Sequence, residues 1–322
     1  MSSPPVTRLE TPSSRPPTDE ARLRELAARR VLPLRRPGRW IAAAVVLVVL
    51  AQLVHALVTN PVFQWNVFGY WFFRPVILDG LVLTLELTGL AAVFGLVGGV
   101  VLALMRLSRN PLLQAVSWAY VWIFRSIPLI VLLLFLANVT ALYSTLSLGI
   151  PFGPSFLHFS ATDLLSFFVV AVLGLSLNEA AYAAEIVRSG VLSVDQGQLE
   201  AAAALGLPRW RQYRRIILPQ ATRAIVPAYA NQLIGLLKGT SVVYITSLLE
   251  LFGVVETQAS TNSGQIIPLL LVGTVWYVIL TSVLSVVQYY VERYFSRGAL
   301  RTVPPTPLQR FRRRLRSLGV AR

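Results

Sequence analysis

Two apolar runs of this sequence contain polar side chains that could bind a small charged solute. In the first, Asn178 and Glu179 are followed by Tyr182, which is one helical turn after Asn178. A carboxylate, an amide and a phenol on one helix suit the ammonium and carboxylate groups of an amino acid. The second run is interrupted by polar residues, among them Asn231, Lys238, Thr240 and Ser241. Apolar runs of this kind are typical of membrane spans, where a charged side chain costs at least about 2.5 to 3.5 kcal/mol. Both sets are therefore candidates for a substrate pathway.

Glu179 also has a structural interpretation. In this alternative its carboxylate pairs with an arginine or with Lys238 and holds two helices together. The sequence is compatible with both the pathway role and the helix-pairing role.

The other carboxylates near apolar runs are expected at the ends of spans. Glu185 and Arg188 are three residues apart and are predicted to form an ion pair at the inner interface. Glu86 is predicted near the outer end of its span, as a carboxylate that reaches the interface, with a role in the substrate path as the alternative. Glu250 and Glu256 are expected at or beyond an outer end, where they either gate the outer side or are solvated.

The sequence contains few residues of the types that catalyse reactions. The chain has no cysteine and only two histidines, so neither a thiolate nucleophile nor a Cys/His metal site is expected. A phosphate-binding Gly-x-x-x-x-Gly-Lys-[Ser/Thr] loop is also missing, since Lys238 comes too early after Gly235. We therefore predict that the chain is not an enzyme and has neither catalytic residues nor a metal or cofactor of its own.

The composition indicates a membrane protein. Of the 322 residues 55% are hydrophobic and 13% charged, and the mean hydropathy is +0.64. About 20 apolar residues cross a bilayer as a helix, and six stretches reach this length. They are residues 40–58, 81–105, 127–146, 164–184, 224–249 and 266–291. The predicted fold is all-α, with about six transmembrane helices.

The distribution of arginine predicts the orientation of these helices. The net charge is +15, but nine arginines lie within residues 8–39 and nine within 293–322, outside the apolar runs. These segments suit an anionic membrane surface rather than nucleic acid. The segments after the first, third and fifth stretches carry only Arg74. Both termini are therefore predicted to be cytoplasmic.

The predicted domain organisation follows the same composition. Residues 1–38 are expected to be a disordered basic tail, and 293–322 a second basic tail. Residues 39–79 contain the first span and an aromatic outer segment, which is an interfacial belt, a half-inserted helix or a docking surface for an external partner. Residues 80–292 form the main transmembrane domain. Within the span at 81–105, Gly95 and Gly99 predict close helix packing, in one subunit or across a dimer.

Between two of the spans lies a polar loop, residues 193–219. Ser193 and Gln196 have capping-box spacing, so a helix is predicted from near residue 194 to 205, with Gly206 as its C-cap. Pro208 can open a second helix, and Pro219 is expected to close the unit. The alanine-covered surface of such a hairpin suits docking into a groove on a partner.

The same loop carries a family resemblance. It contains Glu200-Ala201-Ala202, then three residues, Gly206, nine residues and Ile216-Ile217-Leu218-Pro219. This pattern resembles the cytoplasmic signature of the membrane subunits of bacterial ABC importers. Flanking residues resemble the branch that takes up polar amino acids, and the likeness extends over about residues 80–292. These residues are Ala181, Tyr182, Ala184, Glu185, Arg188, Gly197, Gln198, Gln220, Ala221, Lys238, Thr240 and Ser241.

The resemblance implies a multi-pass permease of the bacterial inner membrane that imports solutes. Its partners would be a separate ATPase that uses ATP and Mg²⁺, an external solute-binding protein and a second permease subunit, either a copy or a paralogue. ATPase coupling would depend on Gly197, Gln198, Glu200, Ala201, Ala202, Gly206, Ile216, Leu218 and Pro219.

The alternative function is a secondary transporter or channel for small polar solutes that works without an ATPase. It predicts paired intramembrane carboxylates and inverted repeats. Neither feature is evident in the sequence, which favours the importer.

Overall fold

The first helix forms a unit of its own. The computed structural model describes residues 37–143, 145–150 and 155–295. The described residues up to Asn60 form one compact unit, and those from Pro61 onwards form a second. In the first unit, α1 (Pro37–Thr59) is exposed throughout its apolar stretch, which is typical of a helix that faces lipid. The tails predicted at 1–38 and 293–322 lie almost wholly outside the described residues.

The second unit is built mainly from helices. The α-helices are α2 (Trp65–Phe72), α3 (Pro75–Leu107), α4 (Pro111–Ser126), α5 (Leu129–Ala137), α6 (Val139–Leu142), α7 (Ala161–Leu164), α8 (Phe167–Leu192), α9 (Gln196–Ala204), α10 (Arg209–Gln212), α11 (Leu218–Gly239), α12 (Leu251–Thr261) and α13 (Ile266–Phe295). Short 3₁₀ helices cover Pro61–Phe63 and Thr240–Thr246, and a π-helical turn covers Tyr213–Ile217. The strands β1 (Thr145–Gly149) and β2 (Ser155–Ser160) form an antiparallel hairpin.

The helices confirm an all-α membrane fold with about six spans. Within the described residues, α1, α3, α8 and α13 are each long and apolar enough to cross a bilayer. Two bent helix pairs bring the number to six if each pair is one span. One pair is α4 with α5, and the other joins Arg209–Thr246 to α12.

The third span differs from its prediction. A single helix over 127–146 is wrong, because α5 has only nine residues and makes an angle of 99° with α4. The bend lies at Ile127 and Pro128, where Ile127 is extended (φ −82°, ψ 126°). Proline disfavours helical backbone at the residue before it, which explains the break. The rest of the predicted span contains the short helix α6 and, from Thr145, the start of the hairpin, in which Thr145 pairs with Ser160.

The helices α3 and α8 form the most extensive contact, and glycine permits it. A Cβ at Gly95 would lie 2.6 Å from Cγ of Glu179, and a Cβ at Gly99 would collide with Cβ of Ala183. The glycine face predicted from the sequence therefore packs within the subunit.

We expect Gly99→Ala to destabilise the helix pair. The new methyl group would also lie 2.9 Å from the backbone nitrogen of Ala184, and overpacking of this kind costs about 1 to 3 kcal/mol. Gly89→Ala is the matched control, because a Cβ at Gly89 on the same helix would meet nothing within 4 Å. Thermal unfolding in detergent should show a lower Tm for Gly99→Ala only. Equal Tm values would contradict the close contact.

Apolar clusters run from one end of the bundle to the other. The cluster around Ile77, Leu251 and Val255 joins α3, α12 and α13, and the cluster around Leu87, Leu133 and Leu175 joins α3, α5 and α8. A small cluster at the polar loop contains Val194, Ile217 and Ala221. The loop is therefore packed onto the bundle by side chains of its own.

Candidate functional site

The polar loop begins with a helix that is capped by aspartate. Oδ1 of Asp195 accepts a hydrogen bond from the backbone N–H of Gly197 at 2.7 Å, and α9 starts at Gln196. The predicted cap at Ser193 is wrong. Ser193 keeps helical backbone (φ −74°, ψ −9°) at the end of α8, and its hydroxyl donates to the carbonyl of Gly190. An N-cap needs a non-helical backbone, which Asp195 has (φ −58°, ψ 127°).

Gly206 turns the chain after α9. Its φ of +69° lies in the left-handed region, as expected for a glycine that ends a helix. The N–H groups of Gly206 and Leu207 donate to the carbonyls of Ala203 and Ala202, at 2.9 and 3.1 Å. This pattern satisfies two carbonyls at the helix end and makes the turn compact.

The second helical segment of the loop, which begins at Arg209, does not end at Pro219. From Arg209 the chain is helical through the π-helical turn into α11, and Leu218 is helical (φ −59°, ψ −46°). Pro219 lies in the first turn of α11, so it begins the next helix rather than closing the unit. In the wider π-helical turn the N–H of Leu218 bonds to the carbonyl of Tyr213. This change of register carries the chain past a residue that has no N–H to donate.

The base of the loop is anchored on both sides. Ala202 is 3% exposed, and Val194 and Ile217 pack with Ala221 at the start of α11. Nε2 of Gln220 also donates to Oε1 of Gln198 across the loop. The end of α8, the loop and the start of α11 are thus one packed unit.

The tip of the loop exposes residues of mixed character. Gly197, Glu200, Ala201 and Gly206 are exposed, whereas Ile216 is half-buried. Leu205 is 79% exposed, Trp210 70% and Leu218 57%. Sequence reasoning missed Leu205 as a surface residue, although its place immediately before the turn glycine could have indicated it. Large exposed apolar side chains beside charged ones are typical of a binding surface.

Glu179 is enclosed between helices. Its side chain is 2% exposed, and Oε2 accepts a hydrogen bond from Nε2 of Gln232 at 3.0 Å. Oε1 is buried and has no partner in the described part of the chain. Neither an arginine nor Lys238 forms an ion pair with it among these residues. The carboxylate therefore joins α8 to α11 through an amide.

Asn178 and Tyr182 face a different neighbour. Nδ2 of Asn178 donates to the carbonyl of Phe124 at 3.1 Å, and the guanidinium of Arg125 lies 5.2 Å from the ring centre of Tyr182. Both contacts are with α4. The structure does not bring Asn178, Glu179 and Tyr182 together on one cavity.

The helix α11 has an exposed stripe of small and polar residues. Its members recur at helical spacing and are Ala224, Ala228, Asn231, Gly235 and Lys238. We call this set the α11 stripe. Asparagine and lysine on an exposed face of a membrane helix suit a wet pathway or a contact with another subunit.

Thr240 and Ser241 follow the stripe in a 3₁₀ helix. Thr240 is buried and its hydroxyl donates to the carbonyl of Leu237, while that of Ser241 donates to the carbonyl of Lys238, each at 2.7 Å. The backbone here tightens but does not unwind. Both hydroxyl groups therefore donate to carbonyls of their own helical segment.

The predictions for the carboxylates near span ends have different outcomes. Glu185 and Arg188 form the predicted ion pair at 2.8 Å. Glu86 is eleven residues after Pro75 on α3, which at 33 residues is longer than a bilayer core requires, so its place near the outer end of the span stays a prediction. The side chain of Glu86 is exposed.

The expectation that Glu250 is solvated is wrong, because its side chain is buried at a junction of three helices. It is fully buried and caps α12, since its carboxylate accepts from the N–H groups of Phe252 and Gly253 at 3.0 and 2.9 Å. The hydroxyls of Tyr277 and Thr84 donate to Oε2 at 3.0 and 3.3 Å. One side chain thus links α3, α12 and α13. Glu256 is exposed on α12.

Known proteins resemble the chain over most of its length. The arginine transport system permease protein of Corynebacterium glutamicum is 43% identical over 273 residues, which are 84% of each chain. The glutamate/aspartate import permease protein of Escherichia coli is 39% identical and matches 68% of this chain and 93% of its own.

A solved structure has the same fold. An amino acid ABC transporter crystallised with histidines has a chain that is 30% identical, with a TM-score of 0.58 and coverage of 68% of this chain and 94% of that one. Residues 95–298 match the family described as the inner membrane component of binding-protein-dependent transport systems. This match covers the C-terminal part of α3, the helices from α4 to α13, the polar loop and the α11 stripe. The chain therefore belongs to this family of multi-pass bacterial membrane permeases.

Proposed function

We propose that this chain is the permease subunit of an ABC importer for polar amino acids. The observation that carries the proposal is the loop, which exposes Glu200, Leu205 and Trp210 from a base packed onto α8 and α11. Such a projection suits a groove on a separate ATPase. Relatives named for arginine and for glutamate or aspartate support an amino-acid substrate.

The packed base offers a route for coupling. Val194, Ile217 and Ala221 tie the loop to both flanking helices, so a displacement of the loop moves α8 and α11 together. These helices also carry Glu179 and Gln232, which are bonded to each other. ATP and Mg²⁺ act on the partner ATPase, where nucleotide binding would shift the permease between inward-facing and outward-facing states.

A second permease subunit, a copy or a paralogue, would face the α11 stripe. The small residues Ala224, Ala228 and Gly235 allow close approach, and Asn231 and Lys238 supply polar groups for a solute between two subunits. The proposed pathway residues are these two with Glu179, while Asn178 and Tyr182 support α4.

An external solute-binding protein would dock at the opposite end from the loop. There the aromatic segment forms α2, whose Trp71 donates through Nε1 to Oε1 of Gln265 at 2.9 Å. A polar groove lies beside this contact and is lined by Asn66, Tyr70 and Asn262. We assign this end to the outside and both termini to the cytoplasm, in agreement with the arginine distribution.

Reconstitution tests the proposal against a secondary transporter or channel. The chain should be co-expressed with its ATPase, placed in proteoliposomes with the solute-binding protein, and supplied with labelled arginine or glutamate. We expect uptake that requires ATP and the binding protein. Uptake by the chain alone, driven by a proton or sodium gradient, would instead support the alternative function.

Glu179→Gln separates the two interpretations of this carboxylate. If Glu179 contributes its charge to the pathway, the KM for uptake should change by about tenfold, which corresponds to about 1.4 kcal/mol, with no loss of the bound ATPase. If it only joins helices, the Tm should change and the KM should not. Glu256→Gln, on an exposed position, is the control and should leave both values unchanged.

A further inference from the structure

A cavity outside the loop and the α11 stripe has a lining suited to an anion. Its volume is about 230 Å³, and it opens where α3, α4 and α8 meet. The lining includes two guanidinium groups and two indole rings, from Arg106, Arg125, Trp118 and Trp122.

Positive charge is in excess at this cavity. Glu185 is the acidic residue of the described lining, and it is already paired with Arg188 at 2.8 Å. Nη1 of Arg106 is buried and donates to no acceptor in the described part of the chain. Arg125 lies over Tyr182 and forms no ion pair there. With its carboxylate already paired, the described lining has an excess of positive charge, which an anion in the cavity would balance.

The indole rings give the cavity an apolar margin. Trp118 and Trp122 are one turn apart on α4 and stack with their centroids 5.9 Å apart and their planes at 1°. They are 53% and 60% exposed, although they are large and apolar. Tryptophan is enriched at membrane interfaces, where one edge meets lipid and the other the polar headgroups. A ligand with a charged head and an apolar tail matches this combination.

The cavity lies on the side of the bundle that carries the loop. Arg106 is at the last turn of α3, and Glu185 is in the part of α8 that leads to the loop at residue 193. The arginine distribution predicts this side to be cytoplasmic, and anionic lipids of that leaflet attract basic residues.

We propose that this cavity binds the phosphate headgroup of an anionic phospholipid. The phosphate lies between Arg106 and Arg125, whose planar guanidinium groups suit bidentate hydrogen bonds to phosphate oxygens. The acyl chains run along the stacked faces of Trp118 and Trp122. The site is separate from the proposed coupling surface and does not depend on the identity of the transported solute.

Native mass spectrometry of the full chain in detergent tests this site. Phosphatidylglycerol should bind more tightly than phosphatidylcholine, and the Arg106→Gln/Arg125→Gln variant should lower the affinity for phosphatidylglycerol by about tenfold, since two charge-assisted contacts are removed. The matched control is Arg109→Gln/Arg223→Gln, which removes the same charge from exposed positions outside the cavity. It should bind phosphatidylglycerol like the wild type.

Further variants keep the test decisive if the arginine variant does not fold. Trp118→Leu/Trp122→Leu changes exposed side chains and should weaken phosphatidylglycerol binding, whereas excess inorganic phosphate should not displace the lipid. Equal binding of phosphatidylglycerol by wild type and both cavity variants would overturn the proposal. Displacement by inorganic phosphate would do so too, because the site would then bind free anions.

A cross-linking experiment tests whether this face is instead a contact between subunits. The chain has no cysteine, so a disulfide-linked dimer of Trp122→Cys in membranes would reveal a subunit interface and overturn the lipid proposal.

Discussion

Gly206→Val should strongly weaken binding of the partner ATPase while the bundle still folds. Gly206 has a φ of +69°, which valine adopts only with strain of about 1 to 3 kcal/mol. The turn would relax by moving α9 relative to α10, so Glu200, Leu205 and Trp210 would no longer form one surface. We expect ATPase retention on co-purification to fall at least about tenfold, which corresponds to 1.4 kcal/mol.

Two controls isolate the geometry of this turn. Gly206→Asn should retain most of the ATPase, because asparagine tolerates left-handed backbone better than valine does. Gly264→Val introduces the same kind of strain at a second glycine with φ +85°, away from the loop. Retention of the ATPase by Gly206→Val, or its loss in Gly264→Val, would contradict the assignment of the loop as the coupling surface.

Glu250→Ala should be the most destabilising single substitution proposed for the bundle. It removes the N-cap of α12, worth about 1 kcal/mol, and leaves the half-buried hydroxyl of Tyr277 without its acceptor, at about 1 to 3 kcal/mol, whereas Thr84 keeps the carbonyl of Gly80 as an acceptor at 3.0 Å. The total expected loss is about 2 to 4 kcal/mol. A large decrease in Tm, measured by tryptophan fluorescence in detergent, checks this result.

Glu256→Ala provides the comparison on the same helix. Its side chain is exposed, so its removal should change the free energy of unfolding by no more than about 0.5 kcal/mol. Similar Tm values for Glu250→Ala and Glu256→Ala would show that the buried carboxylate does not hold α3, α12 and α13 together.

Local sequence signals predicted the structure correctly where the feature depends on one residue or on one continuous segment. The apolar runs predicted α1, α3, α8 and α13, since their length and hydropathy are properties of a single segment. Gly206 predicted the left-handed turn because few other residues adopt it readily. The pair Glu185 and Arg188 followed from spacing on one helix.

Local sequence signals failed where the helix before a residue determined that residue's conformation. Ser193 has a capping-box partner in Gln196, yet α8 continues through Ser193 and Asp195 becomes the cap. Pro219 normally ends a helix, but the π-helical turn before it lets the helix continue. In each case the helix that precedes the residue decided the outcome.

The sequence by itself determined that this chain is an all-α membrane permease of the ABC importer type, because hydropathy, arginine placement and the loop signature are linear features. Only the tertiary structure decided which polar residues meet. It separated Asn178 and Tyr182 from Glu179, buried Glu250 at a junction of three helices, and placed Arg106 and Arg125 around one cavity. The physical reason is that helix rotation and crossing are set by close packing, such as that of Gly95 and Gly99 against α8, and packing depends on residues far apart in the chain.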